Sequence, residues 1–189
     1  MIAIIDIGTG NLSTIERVTG GKITIDPDEI ERSDKIIFPG VGSFQYVAEV
    51  IKPIREVLIK VIKSGIPYLG ICLGMEMLFD SSEEGIGDGL GIMHGRIKKF
   101  NGIKTPHMGW NQVENLMDSQ IMDDIPDNSF FYFMHSYYAP DTEYTAMKTD
   151  YGRYFTSGIR YRNIYGVQFH PEKSGENGIR ILKNFGVIS

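Results

Sequence analysis

The stretch Ile66-Pro67-Tyr68-Leu69-Gly70-Ile71-Cys72-Leu73-Gly74-Met75-Glu76-Met77-Leu78-Phe79 decides how the rest of the chain is read. Ile66 to Ile71 is an apolar run of strand length, and Met75 to Phe79 follows a helical pattern. Between them, Gly70 and Gly74 permit a sharp strand-to-helix turn at Cys72, the geometry that holds a nucleophile exposed and strained. A helix N-terminus there is expected to lower the thiol pKa and to offer backbone N–H groups to a developing oxyanion. Far downstream a second apolar run, Tyr165-Gly166-Val167-Gln168-Phe169, ends in His170-Pro171-Glu172. Cysteine, histidine and carboxylate supply a nucleophile, a base and a group that orients the base. Singly, each has an ordinary reading: a lone cysteine packs as a small hydrophobe, and His-Pro-Glu suits a loop with a capping carboxylate. Together they favour catalysis, because both motifs end strand-like runs, and open α/β sheets build their sites at that edge.

Working from this stretch towards the termini, Met1 to Asp6 reads as a buried first strand. The glycine-rich loop Ile7-Gly8-Thr9-Gly10-Asn11 follows, then a short helix from Leu12 to Val18. The loop lacks the third glycine of a dinucleotide fingerprint. Lys22 to Ile25 and Lys35 to Phe38 read as strands, with a helix start at Asp26-Pro27-Asp28. Pro39-Gly40-Val41-Gly42 is a turn able to expose backbone N–H groups. Ser43 caps a helix over Phe44–Val50, and Ile54 to Ser64 has helical spacing with one buried face. Ser81 to Gly91 is acidic and glycine-rich and reads as a flexible loop. Six short strand-like runs then follow: 95–100, 111–115, 130–134, 144–147, 153–159 and 164–169. They suggest antiparallel strands joined to a parallel sheet, and Gly178 to Phe185 closes the chain as a helix. The expected architecture is one α/β domain over 1–189, a mixed sheet flanked by helices.

The bulk numbers narrow the function. The chain has 189 residues, 42% of them hydrophobic and 23% charged, the balance of an ordinary globular protein. A net charge of −5 gives nucleic-acid binding no electrostatic support. A single cysteine leaves no intrachain disulfide and fits a reducing cytoplasm. No signal peptide and no stretch long enough to span a membrane is read. His94, His107, His135 and His170 have no tight ligand spacing, so neither metal nor cofactor is expected.

Several segments together carry a resemblance. They are Ile5-Asp6-Ile7-Gly8-Thr9-Gly10-Asn11-Leu12, Pro39-Gly40-Val41-Gly42, Gly70-Ile71-Cys72-Leu73-Gly74-Met75, Pro106-His107-Met108-Gly109-Trp110-Asn111, His135-Ser136-Tyr137-Tyr138 and Gly166 to Ser174. The chain resembles class I (triad) glutamine amidotransferases, in particular the glutaminase subunits of imidazole glycerol phosphate synthase. The resemblance implies a flavodoxin-like fold with an antiparallel extension. It implies hydrolysis of glutamine to glutamate, with ammonia passed to a (β/α)₈ barrel cyclase in a heterodimer of histidine biosynthesis. Alternatives are the glutaminase subunit of pyridoxal phosphate, anthranilate or GMP synthesis, and a stand-alone cysteine hydrolase.

By the same resemblance, Cys72 attacks the amide carbon, His170 moves the proton and Glu172 holds His170. The oxyanion would meet N–H groups of Leu73 and of Val41 or Gly42, the latter after a rotation of the turn. Gly42, Glu84, Ser136 and Tyr137 would hold the substrate. Position 76 departs from the family's glutamine, and Glu76 is read either as a surface helix residue or as a carboxylate near substrate. Gly10, Asn11, Trp110, Tyr132 and Lys173 would face the partner, although Trp110 alone also suits a core aromatic and Gly10-Asn11 a helix cap. The first helix and second strand look shorter than in the family.

Overall fold

The computed structural model describes residues 1–188. The elements run β1 (Ile2–Ile5), α1 (Leu12–Thr19), β2 (Lys22–Thr24), α2 (Pro27–Glu31), β3 (Lys35–Phe38), α3 (Phe44–Val50), α4 (Arg55–Lys63), β4 (Tyr68–Ile71) and α5 (Leu73–Glu76). The second half adds β5 (Ser81–Ser82), β6 (Arg96–Lys99), β7 (His107–Asn115), β8 (Ser129–His135), β9 (Tyr137–Tyr138), β10 (Thr145–Asp150), β11 (Tyr154–Tyr161), β12 (Ile164–Val167) and α6 (Gly175–Val187). A nine-stranded sheet has the order β2-β1-β3-β4-β12-β11-β10-β7-β8, and a small sheet joins β5, β6 and β9. β2 to β12 pair in parallel, in the flavodoxin-like order. From β12 outward every pair is antiparallel.

The parallel strands are buried on both faces, which is why they read as unbroken apolar runs. Side chains alternate across them with period two. Ile5, Ile36, Phe38 and Tyr68 pack with α3 and α4 on one face. Ile4, Ile37, Leu69 and Ile71 pack with Ile15 of α1 and Ile181, Leu182 and Phe185 of α6 on the other. Ser43 caps α3 as expected, its hydroxyl accepting from Tyr46 N–H at 3.3 Å. α1 ends at Gly20, which takes a left-handed φ of 67°, the usual way to close a helix. β2 is a three-residue edge strand, so the brevity seen in sequence shortens the sheet edge without removing it.

Four expectations change. The helix after Cys72 stops at Glu76, because Met77 and Leu78 carbonyls turn away to accept N–H groups of Leu90, Ile92 and Met93. Those bonds tie down the segment read as a flexible loop, and its Ser81 and Ser82 form β5. β7 starts at His107 rather than Asn111, since its ladder with β8 extends to His107↔His135. The last helix also begins earlier, at Gly175, in a polar stretch without apolar periodicity.

Candidate active site

Cys72 stands at the junction of β4 and α5 with φ 53° and ψ −108°, a strained conformation for a residue with a side chain. The turn closes only because Gly74 lies against the neighbouring strand: a Cβ there would sit 1.7 Å from the Phe38 carbonyl oxygen. Cys72 is 4% exposed. Burial pushes its thiol pKa up, and the carboxyls of Glu76 and Glu172 push it further. The Leu73 N–H and the Gln168 amide favour the thiolate but do not outweigh burial. The sequence expectation of a lowered pKa is therefore corrected. A helix of four residues adds little field, and desolvation dominates. At rest Cys72 is a neutral thiol, which could act as a nucleophile only with a base to take its proton.

A candidate base, His170, follows the neighbouring strand β12. β4 and β12 pair in parallel, and Cys72 N–H donates to the Val167 carbonyl at 2.8 Å. Gln168 Nε2 approaches Cys72 Sγ at 3.8 Å and donates to Glu76 Oε1 at 2.8 Å. Two residues on, His170 Nδ1 bonds Glu172 Oε1 at 2.9 Å, with side chains 1% and 2% exposed. A carboxylate on Nδ1 fixes the tautomer that leaves Nε2 bare. His170 Nε2 has no hydrogen-bond partner, so its bond to the Cys72 thiol is unmade. Catalytic hydrogen bonds often tighten only when substrate is bound. The His170 loop is held by β8: its N–H donates to the Tyr132 carbonyl at 2.9 Å, and Ser174 Oγ donates to its carbonyl at 2.6 Å.

Cys72 opens into a cavity of about 230 Å³, large enough for an amino acid. Its walls include Val41, Gly42 and Leu73, and also Glu76, Glu84, Ser136 and Tyr137. Every residue read from sequence as an oxyanion donor or substrate contact lines this one space. Glu76 is 3% exposed, so the surface reading is wrong. Burial raises its pKa to about 8. Glu84 Oε2 accepts from Phe44 N–H at 2.6 Å, so it also anchors the start of α3 behind the Val41–Gly42 turn. The Val41 carbonyl accepts from Thr9 Oγ1 at 2.6 Å, and Gly42 has φ 127°.

Trp110 is 55% exposed, which overturns the core-aromatic reading. Its ring centroid lies 6.2 Å from that of Tyr132, and Lys173 Nζ lies 6.0 Å from the Tyr132 ring centre. Gly10 and Asn11 are in the loop after β1, at the same strand edge as Cys72. Asn11 takes the N-cap position of α1, yet its side chain makes no capping bond, so the cap reading is not met. Sequence reading gave no role to Gln168, Pro106 or His135, and placed Thr9 only in the partner-facing loop. Gln168 sits between two named site residues in the fold, and only its place directly before Phe169-His170 hinted at this.

Comparison with known proteins fits this geometry. The model of the family "Glutamine amidotransferase class-I" matches residues 9–188. An imidazole glycerol phosphate synthase subunit HisH of Picrophilus torridus is 52% identical over 189 residues, covering 100% of both chains. One from Thermococcus kodakarensis is 48% identical, covering 98% of each. Among solved structures, a putative GMP synthase protein from Thermoplasma acidophilum superposes with TM-score 0.75 at 21% identity, covering 98% of this chain and 91% of its own. A likeness at that identity speaks to the fold, whereas the matched family model and the full-length relatives speak to descent. This chain belongs to the class I glutamine amidotransferase family.

Proposed function

We propose that this chain is the glutaminase subunit of an imidazole glycerol phosphate synthase, a single catalytic domain over 1–189 acting in the cytoplasm. It would work as a heterodimer with a (β/α)₈ barrel cyclase, which uses the ammonia to form imidazole glycerol phosphate and aminoimidazole carboxamide ribotide. The observation that carries the reading is the bare His170 Nε2, set by Glu172 on Nδ1, one strand from Cys72 at the mouth of a polar cavity. HisH names on full-length relatives favour this synthase over pyridoxal phosphate, anthranilate or GMP synthesis. Among the described residues no helix is long and apolar enough to cross a membrane.

His170 Nε2 takes the thiol proton, and the sulfur forms a bond to the side-chain amide carbon of glutamine. The oxygen of the tetrahedral adduct gains the charge, met by the Leu73 N–H and by a donor from the Val41–Gly42 turn. Removing one such donor typically costs about 3 kcal/mol of barrier lowering. His170 returns the proton to the leaving nitrogen, the C–N bond breaks and ammonia departs. Water, deprotonated by His170, then cleaves the glutamyl thioester to give glutamate and the free thiol. Glu172 stabilises the imidazolium at each transfer.

The test is glutamate release from glutamine by the wild type and Cys72→Ala, alone and with a barrel cyclase and its ribonucleotide substrate. Cys72-dependent release that rises steeply only in the full mixture is expected. Equal release without the partner would favour the stand-alone hydrolase.

A further inference from the structure

Two histidines outside the triad meet at the end of the β7–β8 ladder. His107 and His135 are register partners, 3% and 6% exposed. His135 Nδ1 lies 2.6 Å from the Tyr137 carbonyl oxygen. A carbonyl only accepts, so this nitrogen carries the proton. Nε2 of the neutral ring is then bare and must accept from His107 Nδ1, 3.0 Å away. His107 Nε2 is bare in turn and accepts from the Asn111 side-chain amide at 3.2 Å. The same amide donates to the Asp150 carbonyl at 2.9 Å. The chain therefore has one polarity: Asn111 to His107 to His135 to Tyr137. Burial keeps both rings neutral, lowering His107 to about 4 and His135 to about 3. His107 is clamped between Tyr151 and Phe133, with ring centroids at 3.9 and 4.7 Å.

The two ends of this chain differ in what they touch. Pro106, His135, Ser136 and Tyr137 form one wall of the Cys72 cavity. On β7, His107 and Asn111 turn inward while the alternate residues Met108 and Trp110 are 59% and 55% exposed. Resting on the glutaminase reading with its partner on the Trp110 face, we propose that His107 and His135 are positioning residues that couple this face to glutamine binding. Their hydrogen-bond chain holds the Tyr137 carbonyl, and so the Ser136–Tyr137 wall, in register with β7. Docking on Met108 and Trp110 shifts β7 and changes the grip on glutamine, leaving the thiol's own reactivity alone.

The experiment uses the complex with the cyclase and its ribonucleotide. His107→Phe keeps the ring stack and deletes both hydrogen bonds. The glutamine KM is expected to rise about tenfold while kcat at saturation changes less than about twofold. The alkylation rate of Cys72 by iodoacetamide stays at the wild-type value. His107→Gln, which can still donate to His135 and accept from Asn111, restores most of the KM. A purely structural role would lower the melting temperature without this split or this rescue. If His107→Phe fails to fold, Asn111→Ala removes the first donor and is expected to move KM in the same direction. Nitrogen-15 NMR of the wild-type imidazoles, which needs no substrate, is expected to show the Nδ1–H tautomer in both rings from about pH 6 to 8. An Nε2–H tautomer in either ring overturns the chain. An active wild type with an unaltered KM in His107→Phe sinks the positioning role alone, whereas a wild type inert toward glutamine sinks it together with the glutaminase reading.

Discussion

A buried carboxyl beside a buried thiol changes what each can do. Glu76 shares the Gln168 amide with Cys72, and burial raises its pKa from 4.5 to about 8. Near neutral pH it is a proton donor and not an anion, which spares Cys72 some of the repulsion an ionised neighbour would bring. Between pH 4.5 and about 8 the folded chain keeps a proton that the unfolded chain has released. Stability from this group is therefore present below that window and is lost as pH rises through it. Glu76→Gln removes the slope. From pH 5 to 8.5 the wild-type melting temperature is expected to fall by about 10 °C more than that of the variant. Equal falls in scanning calorimetry would contradict the buried, protonated carboxyl. In sequence Glu76 stayed divided between surface and site, because a helix of four residues is too short for periodicity to assign its faces.

At the scale of elements, the elbow and the turn facing it were both legible, but the contact that holds the turn was not. Gly-Ile-Cys-Leu-Gly between an apolar run and a helical pattern carries its own geometry, and strand β4 ends at Ile71 as read. The thiol's raised pKa was hidden, since desolvation depends on the strands and loops packed over the elbow. The Val41–Gly42 turn is held by an atom from a distant loop: Thr9 Oγ1, 2.6 Å from the Val41 carbonyl. Rotating that peptide to turn the Gly42 N–H toward an oxyanion breaks this bond. Gly42, at φ 127°, has the freedom to move. Thr9→Val keeps the shape and deletes the hydroxyl. Partner-free glutamate release is expected to rise about fivefold, the equivalent of about 1 kcal/mol for one hydrogen bond. Unchanged release would count against the rotation. The β7–β8 ladder was only half read. His107 to Trp110 contains a glycine and no apolar alternation, so the His107–His135 contact came into view only with the pairing register.

At the scale of the molecule, the parallel sheet does the assembling. Cys72 and Gln168 are 96 residues apart in sequence, yet β4 and β12 lie side by side. Chain order allowed this proximity without requiring it, because strand order depends on which helices cover which face. The alternation of Ile4 and Ile5, or Ile36 and Ile37, between two cores fixes those faces. The antiparallel extension then brings Trp110 and Tyr132 next to Lys173 and the His170 loop. The most direct test of Cys72 and His170 as nucleophile and base is intact-mass analysis after incubation with a diazoketone analogue of glutamine. One adduct on Cys72, formed faster with the cyclase bound and lost in His170→Ala, is the expected result. Absence of the adduct, or undiminished labelling in His170→Ala, would contradict the assignment.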